Sequence, residues 1–134
     1  MDDLYREVII DRSANPMYKG KLDPHDITFE DENPLCGDVI RVDLRVDEEN
    51  RITEAAFDGH GCAISQASAD LLMESIIGKD LESIKSLTKQ DILDNLGIEL
   101  GAVRLKCALL SLKALKAGVY GLSKSNDDLV EGNE

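Results

Sequence analysis

The sequence is poor in basic charge and has no long hydrophobic run. Its 134 residues carry 15 Lys and Arg against 27 Asp and Glu, a formal net charge of -12, and no segment is rich in Lys or Arg. This balance disfavours binding to nucleic acid or to an anionic membrane. No apolar run approaches the roughly 18 residues of a membrane span, and the N-terminus is acidic where a leader peptide would be basic. We therefore expect a soluble, cytoplasmic protein.

Cysteine and histidine are also scarce. The three cysteines, Cys36, Cys62 and Cys107, lie far apart in the sequence, so none belongs to the CxxC pair that is typical of zinc fingers and ribbons. An odd number of distant cysteines does not indicate a disulfide framework. Because His25 and His60 are the only histidines, the sequence offers little general base for a stand-alone thiol enzyme. Free thiols or metal ligands are the better interpretation.

Hydrophobic periodicity predicts an α+β fold. The predicted strands cover residues 26–30, 38–47 and 51–58. The predicted helices cover residues 2–15, 62–77, 80–87, 88–97 and 101–118. We expect a small three-stranded antiparallel sheet packed against several helices, in a single domain over residues 1–122. Residues 123–134 are largely polar or acidic and are predicted to form a disordered tail.

The three cysteines share a local setting. Cys36 stands in a turn before a strand, and Cys62 follows Gly-His-Gly at a predicted helix start. Cys107 follows Arg104 and Lys106 near the start of the last helix. A helix N-terminus and neighbouring cations both favour the thiolate, which is the form that binds metals and accepts sulfur. A small buried hydrophobe is the alternative, most credible for Cys107 on the apolar side of its helix.

Polar residues beside the cysteines are further candidates. Asp38, two residues after Cys36, is a carboxylate ligand, a cap of the turn or a solvated residue at the start of the strand. His60 is either a nitrogen ligand or a solvent-facing loop residue. Lys106 is either a charge partner of Asp38 or a solvated lysine. The residue types alone leave these alternatives open.

Three motifs taken together are more specific. NPLCGD around Cys36, GHGCAIS around Cys62 and RLKCALLSLKAL around Cys107 resemble the cysteine motifs of the U-type iron-sulfur cluster assembly scaffolds, the IscU/SufU/NifU N-terminal family. The resemblance covers about residues 4–120. It implies a small α+β scaffold, not an enzyme, that receives sulfur from a cysteine desulfurase. Such a scaffold assembles a [2Fe-2S] cluster and passes it to recipient apo-proteins. The resemblance leaves open whether the scaffold forms a homodimer.

The resemblance also implies roles for individual residues. The implied ligands of the cluster, and of zinc in the isolated protein, are Cys36, Asp38, Cys62 and Cys107. An aspartate oxygen is a harder and more exchangeable ligand than a fourth thiolate, which suits a carrier that must release its cargo. Cys107 is the expected persulfide acceptor, with Arg104 and Lys106 as accessory cations. The alternative function is a zinc-binding persulfide acceptor that stimulates the desulfurase.

The chain combines features of two branches of that family. Lys106 stands where the IscU branch has a histidine, as in the SufU branch. The interval between Cys62 and Cys107, however, leaves no room for the insertion that is usual in the SufU branch. Residues 100–104 read LGAVR in place of the Leu-Pro-Pro-Val-Lys segment that a dedicated chaperone recognises in the IscU branch. This difference argues against chaperone-dependent transfer.

Overall fold

The protein is described by a computed structural model that covers residues 2–34, 37–97 and 100–123. Within these residues the chain forms, in order, α1 (Asp2–Ala14), β1 (Ile27–Asn33), β2 (Asp38–Val46), β3 (Ile52–His60), α2 (Ala63–Ile76), α3 (Leu81–Lys85), α4 (Lys89–Leu96) and α5 (Ala102–Ser123). The predicted α+β class with a three-stranded antiparallel sheet is confirmed. No helix in the described ranges is long and apolar enough to cross a membrane.

The sheet is a meander in the order β1-β2-β3. Alternation along β2 buries Ile40, Val42 and Leu44 almost completely, as the sequence pattern predicts. At one end of the sheet Asn33 pairs with Asp38, and the neighbouring Val39 pairs with His60. The start of β2 and the end of β3 therefore lie side by side, and the chain enters α2 directly from this end.

Helices α2 and α5 cover the inner face of the sheet and form the core with it. The largest side chains of this core include Phe57, Leu72, Leu110 and Leu115, and each is almost fully buried. Burial of an aliphatic or aromatic side chain of this size stabilises the fold by about 2 kcal/mol. The two helices that carry Cys62 and Cys107 are thus held against the same apolar layer.

Two buried carboxylates attach the connection between α1 and β1 to the rest of the fold. Asp70 on α2 accepts hydrogen bonds from the Arg12 guanidinium (2.8 Å) and from the Tyr18 N–H (2.7 Å). Asp43 on β2 accepts one from the Leu22 N–H (3.0 Å). Because these charged groups are paired and hydrogen-bonded, their burial is tolerated. The connection is ordered without an apolar core of its own.

The last helix is longer than its sequence pattern predicts. Gly118 was expected to end it, and this expectation is wrong, since α5 continues to Ser123. A Cβ atom on Gly118 would lie 3.0 Å from Ile27 Cγ2 and 3.2 Å from Phe29 Cβ. Glycine at this position therefore allows α5 to pack closely on β1 instead of terminating the helix. Residues 124–134, most of the predicted tail, lie outside the described residues.

Candidate metal centre

The turn between β1 and β2 places Asp38. The Gly37 N–H donates to the carbonyl of Asn33 (2.7 Å), and the pairing of Asn33 with Asp38 closes the hairpin. Asp38 is the first residue of β2, on the same side as the inward Ile40, and is only 5% exposed. The alternative in which Asp38 is a solvated residue is therefore excluded.

Cys62 is the N-cap residue of α2. Its backbone is extended (φ -72°, ψ 170°), and its side chain makes no capping hydrogen bond, so the sulfur is not committed to its own helix. The Cys62 N–H donates to Asp38 Oδ2 at 3.3 Å. The Cys62 carbonyl accepts from the Gln66 N–H (3.1 Å) and from Ser65 Oγ (3.0 Å). The thiol is thus fixed at the beginning of the helix, beside the carboxylate.

Gly61 makes room for the Asp38 carboxylate. A Cβ atom at residue 61 would lie 2.6 Å from Asp38 Cγ, 2.8 Å from Asp38 Oδ2 and 2.4 Å from Ser65 Oγ. Such separations are well inside van der Waals contact, so any side chain here would displace the carboxylate. The glycine before Cys62 therefore allows the backbone to approach Asp38 closely.

Cys107 lies in the second turn of α5 and is 2% exposed. The next residue, Ala108, accepts a hydrogen bond through its carbonyl from Ser68 Oγ (2.6 Å), and this bond is buried. Because Ser68 is on α2, the bond holds the two helices that carry Cys62 and Cys107 at a fixed separation. A buried hydrogen bond of this kind stabilises the fold by about 1 kcal/mol.

Three of the four predicted ligands converge. One ligand atom from each of Asp38, Cys62 and Cys107 lies within 4.8 Å of the other two. Thiolate ligands bind tetrahedral zinc at about 2.3 Å, which corresponds to about 3.8 Å between neighbouring ligand atoms. The three atoms therefore need to close by about 1 Å at most, within the reach of side-chain rotation. Two sulfurs and a carboxylate oxygen fit zinc, and equally iron in a sulfide cluster. Cys36 lies outside the described residues.

Neither histidine belongs to this cluster of described residues. His60 is the last residue of β3, is exposed, and pairs with Val39 in the outward row of the sheet. Asp38 belongs to the opposite row of the sheet, which faces inward. The Nδ1 atom of His25 lies 3.1 Å from the carbonyl of Leu22, within the connection that precedes β1. Of the two alternatives for His60, the structure supports the solvent-facing one.

The cations near Cys107 lie at the surface. Arg104 and Lys106, both on α5, are exposed, whereas Cys107 itself is buried. Lys106 lines a surface cleft together with Leu109 and Leu110. The positive charge is therefore placed where an approaching partner or anion meets it.

Two residues that position the site were not predicted from the sequence. Neither Ser68 nor Gly61 is among the candidate site residues that the sequence predicts. A hydroxyl on a buried helix face requires a hydrogen-bond partner, and that requirement is the signal that could have identified Ser68. The contact of Gly61 with Asp38 depends on strand register, which the sequence pattern does not fix.

A family model described as the NifU-like N terminal domain matches residues 4–127. Relatives with assigned names are similar over most of the chain. SufU of Bacillus subtilis (strain 168), named a zinc-dependent sulfurtransferase, is 39% identical, and the alignment covers 89% of this chain and 91% of SufU. IscU of Thermotoga maritima, named an iron-sulfur cluster assembly scaffold protein, is 34% identical, with 90% of this chain and 96% of IscU covered.

A solved structure shares the fold. The crystal structure of FiSufU from Fervidobacterium islandicum AW-1, a candidate iron-sulfur cluster assembly scaffold for the SUF system, superimposes with a TM-score of 0.70. The two chains are 29% identical, and the match covers 84% of this chain and 94% of FiSufU. Sequence and fold comparisons therefore agree.

Proposed function

Because the chain belongs to the family of NifU-like N-terminal domains, we propose that it is a scaffold for the assembly of a [2Fe-2S] cluster. The iron and the sulfur are its cargo, the sulfur comes from a cysteine desulfurase, and the finished cluster passes to apo-proteins. The observation that carries this proposal is the convergence of Asp38, Cys62 and Cys107, whose ligand atoms lie within 4.8 Å of one another. Cys36 would complete the ligand set.

Asp38 is the ligand that favours release. Its Oδ2 atom accepts a hydrogen bond from the Cys62 N–H at 3.3 Å, so the carboxylate has a second partner besides a metal. A carboxylate is also a harder ligand than a thiolate and exchanges more readily on a soft centre. Because a carrier must release its cluster, one weakly bound ligand favours its function.

Cys107 is proposed to accept sulfur. Its thiolate attacks the terminal sulfur of a persulfide on the desulfurase cysteine, the S–S bond of that persulfide breaks, and the desulfurase cysteine leaves as a thiolate. This transfer needs no oxidant or reductant. Conversion of the transferred sulfur to sulfide needs two electrons, from an external thiol or ferredoxin-type donor. The exposed Arg104 and Lys106 would attract the anionic persulfide to the surface near Cys107.

The name of one relative supports a second candidate function. SufU of Bacillus subtilis is named a zinc-dependent sulfurtransferase and is 39% identical to this chain. In that case zinc would order the same ligands, and a thiolate would relay persulfide without a cluster being assembled here. The donor set of two thiols and a carboxylate suits zinc as well as iron.

Anaerobic reconstitution with ferrous iron, cysteine and a desulfurase tests the scaffold proposal. We expect the visible absorption of a [2Fe-2S] cluster in the wild type and its loss in Cys62→Ser. Serine is a better N-cap residue than cysteine, so this variant keeps the start of α2 while it removes the thiolate. Ser86→Ala, at an exposed position, is the matched control and should behave as wild type. An undiminished chromophore in Cys62→Ser would overturn the proposal.

Metal analysis and cluster transfer separate the two functions. Protein purified without oxygen is analysed for iron, acid-labile sulfide and zinc, and is then mixed with an apo-ferredoxin. A scaffold transfers a cluster to the apo-ferredoxin. A zinc-dependent sulfur acceptor retains one zinc, stimulates desulfurase turnover and transfers none. Mass spectrometry of the Cys107→Ser and Cys62→Ser variants after desulfurase treatment shows which thiol accepts the sulfur.

A further inference from the structure

Two buried side-chain atoms in the described part of the chain lack a hydrogen-bond partner, Gln66 Nε2 and Ser111 Oγ. Gln66 is 7% exposed and Ser111 is 1% exposed. A buried donor without an acceptor costs free energy, so such atoms are rare in native proteins. Each of the two lies four residues after a cysteine of the candidate metal centre, Gln66 after Cys62 and Ser111 after Cys107.

Ser111 differs from the other serines whose side chains the structure describes. Most of them donate to the carbonyl three residues earlier, namely Ser13, Ser65, Ser75 and Ser86. The others donate to different groups, Ser68 to the Ala108 carbonyl and Ser83 to Asp80 Oδ1. Among the described residues nothing accepts a hydrogen bond from Ser111 Oγ. Its hydroxyl proton is therefore available to an acceptor that this part of the polypeptide does not supply.

The Gln66 amide is oriented by Lys19. The Lys19 ammonium lies 3.1 Å from Gln66 Oε1, and because an ammonium group can only donate, the amide oxygen must face it. The amide NH2 group is then the part of the side chain without a partner, and it too can only donate. The Gln66 side chain consequently lacks an acceptor, as the Ser111 hydroxyl does.

Helix geometry places both side chains one turn from the metal centre. Residues four apart lie on one face of a helix, with about 5 to 6 Å between their Cβ atoms, and the later side chain leans toward the earlier one. The Gln66 N–H donates to the Cys62 carbonyl at 3.1 Å, so this relation begins at the N-cap of α2. Ser111 and Cys107 both lie within the continuous helix α5.

We propose that Gln66 and Ser111 are positioning residues that donate hydrogen bonds to the metal-bound thiolates, Gln66 Nε2 to Cys62 and Ser111 Oγ to Cys107. A thiol sulfur is a weak acceptor, whereas a thiolate is an anion and accepts more strongly. Both donors are therefore satisfied when the site is loaded, and they favour metal binding over the metal-free state. The inference rests on the proposed metal centre and applies to zinc and to iron alike.

Cobalt(II) is the probe, because its bonds to thiolates give a charge-transfer absorption band. We expect Ser111→Ala and Gln66→Leu each to lower the cobalt affinity by about tenfold or more, as losses of outer hydrogen bonds do at metal sites. Each should also move the band to lower energy, because a thiolate that loses a hydrogen bond holds its lone pair less tightly. Ser75→Ala, whose hydroxyl is satisfied within its own helix, is the matched control. Bands and affinities identical to wild type in both variants would overturn the proposal.

The stability of the metal-free protein distinguishes this role from a merely structural one. Ser111→Ala removes a buried hydroxyl without a partner, so its urea midpoint without metal should equal or exceed that of the wild type. A lower midpoint together with an unchanged cobalt spectrum would make Ser111 a structural residue and reject the proposal. Ser111→Thr keeps the hydroxyl and should restore the band position, and a band at the alanine position would count against the hydroxyl. A wild type without any charge-transfer band would reject the proposed metal centre itself.

Discussion

At the scale of single residues, the Asp38 carboxylate lies between a backbone donor and two thiols. It is 5% exposed, accepts a hydrogen bond from the Cys62 N–H, and lies within 4.8 Å of two thiols. We expect Asp38→Ala to lengthen the lifetime of a bound cluster and to slow its transfer severalfold, because the exchangeable oxygen is removed. Transfer kinetics to an apo-ferredoxin, followed by circular dichroism, measure this effect. Unchanged kinetics would leave Asp38 with a purely structural role.

Gly61 provides a second prediction at this scale. In Gly61→Ala the new methyl group would meet Asp38 and Ser65 at 2.4 to 2.8 Å, so the carboxylate must shift. We expect zinc affinity to fall by about tenfold or more, as for other substitutions that misplace a metal ligand. Competition with a chromophoric chelator measures the affinity. Gly101→Ala, where no atom of the described residues beyond its chain neighbours lies within 4 Å of the added Cβ, is the matched control and should bind zinc normally.

At the scale of elements, Asp43 joins β2 to β1 and to the connection that precedes it. Burial raises the pKa of Asp43, but hydrogen bonds from Arg41, Thr28 and the Leu22 N–H outweigh burial and hold the pKa below its ordinary value. The stabilisation is therefore fully present above the unfolded-state pKa of about 3.9 and is lost as the pH falls through the lower native pKa. Acid should loosen this part of the sheet.

Asp43→Asn should lower the free energy of unfolding by about 1 to 3 kcal/mol near neutral pH, since one buried carboxylate oxygen that accepts hydrogen bonds becomes an NH2 donor. The difference from wild type should shrink as the pH falls below about 4. Urea unfolding at a series of pH values measures both effects. Asp58→Asn removes a weak surface pair with Lys21 at 3.9 Å and should change stability by less than about 0.5 kcal/mol. A pH-independent difference would contradict the assignment.

The sequence predicted those elements whose boundaries are set by neighbouring residues, and missed features that depend on contacts distant in the sequence. The alternation of Ile40, Val42 and Leu44 identified β2. The helix predicted for residues 88–97 matches α4, which begins at the capping box of Thr88 and ends at the left-handed Gly97. Those signals lie within a few residues. The extension of α5 beyond Gly118 depends on a contact with β1, and the outward direction of His60 depends on strand register. Such long-range causes leave no local pattern, so the sequence predicted candidate ligands but not their supporting contacts.

At the scale of the whole molecule, net charge is expected to influence association. The net charge of -12 is spread over the chain, so a desulfurase that binds it is expected to present a basic face. We expect the affinity of the two proteins to fall as ionic strength rises, because salt screens surface charges over about 10 Å at 0.1 M. Titrations in sodium chloride and in sucrose at equal osmolality separate screening from general solvent effects. A salt-independent affinity would exclude electrostatic steering.

The three proposed ligands among the described residues come from separate parts of the fold: Asp38 from β2, Cys62 from the N-cap of α2 and Cys107 from α5. A bound ion would therefore cross-link segments that are distant in the sequence, and the unfolded chain cannot reproduce that arrangement. By mass action, metal at a hundredfold excess over its dissociation constant adds about 2.7 kcal/mol to the free energy of unfolding. The midpoint of thermal unfolding consequently reports occupancy, and a partner that removes the cargo leaves behind a more easily unfolded protein.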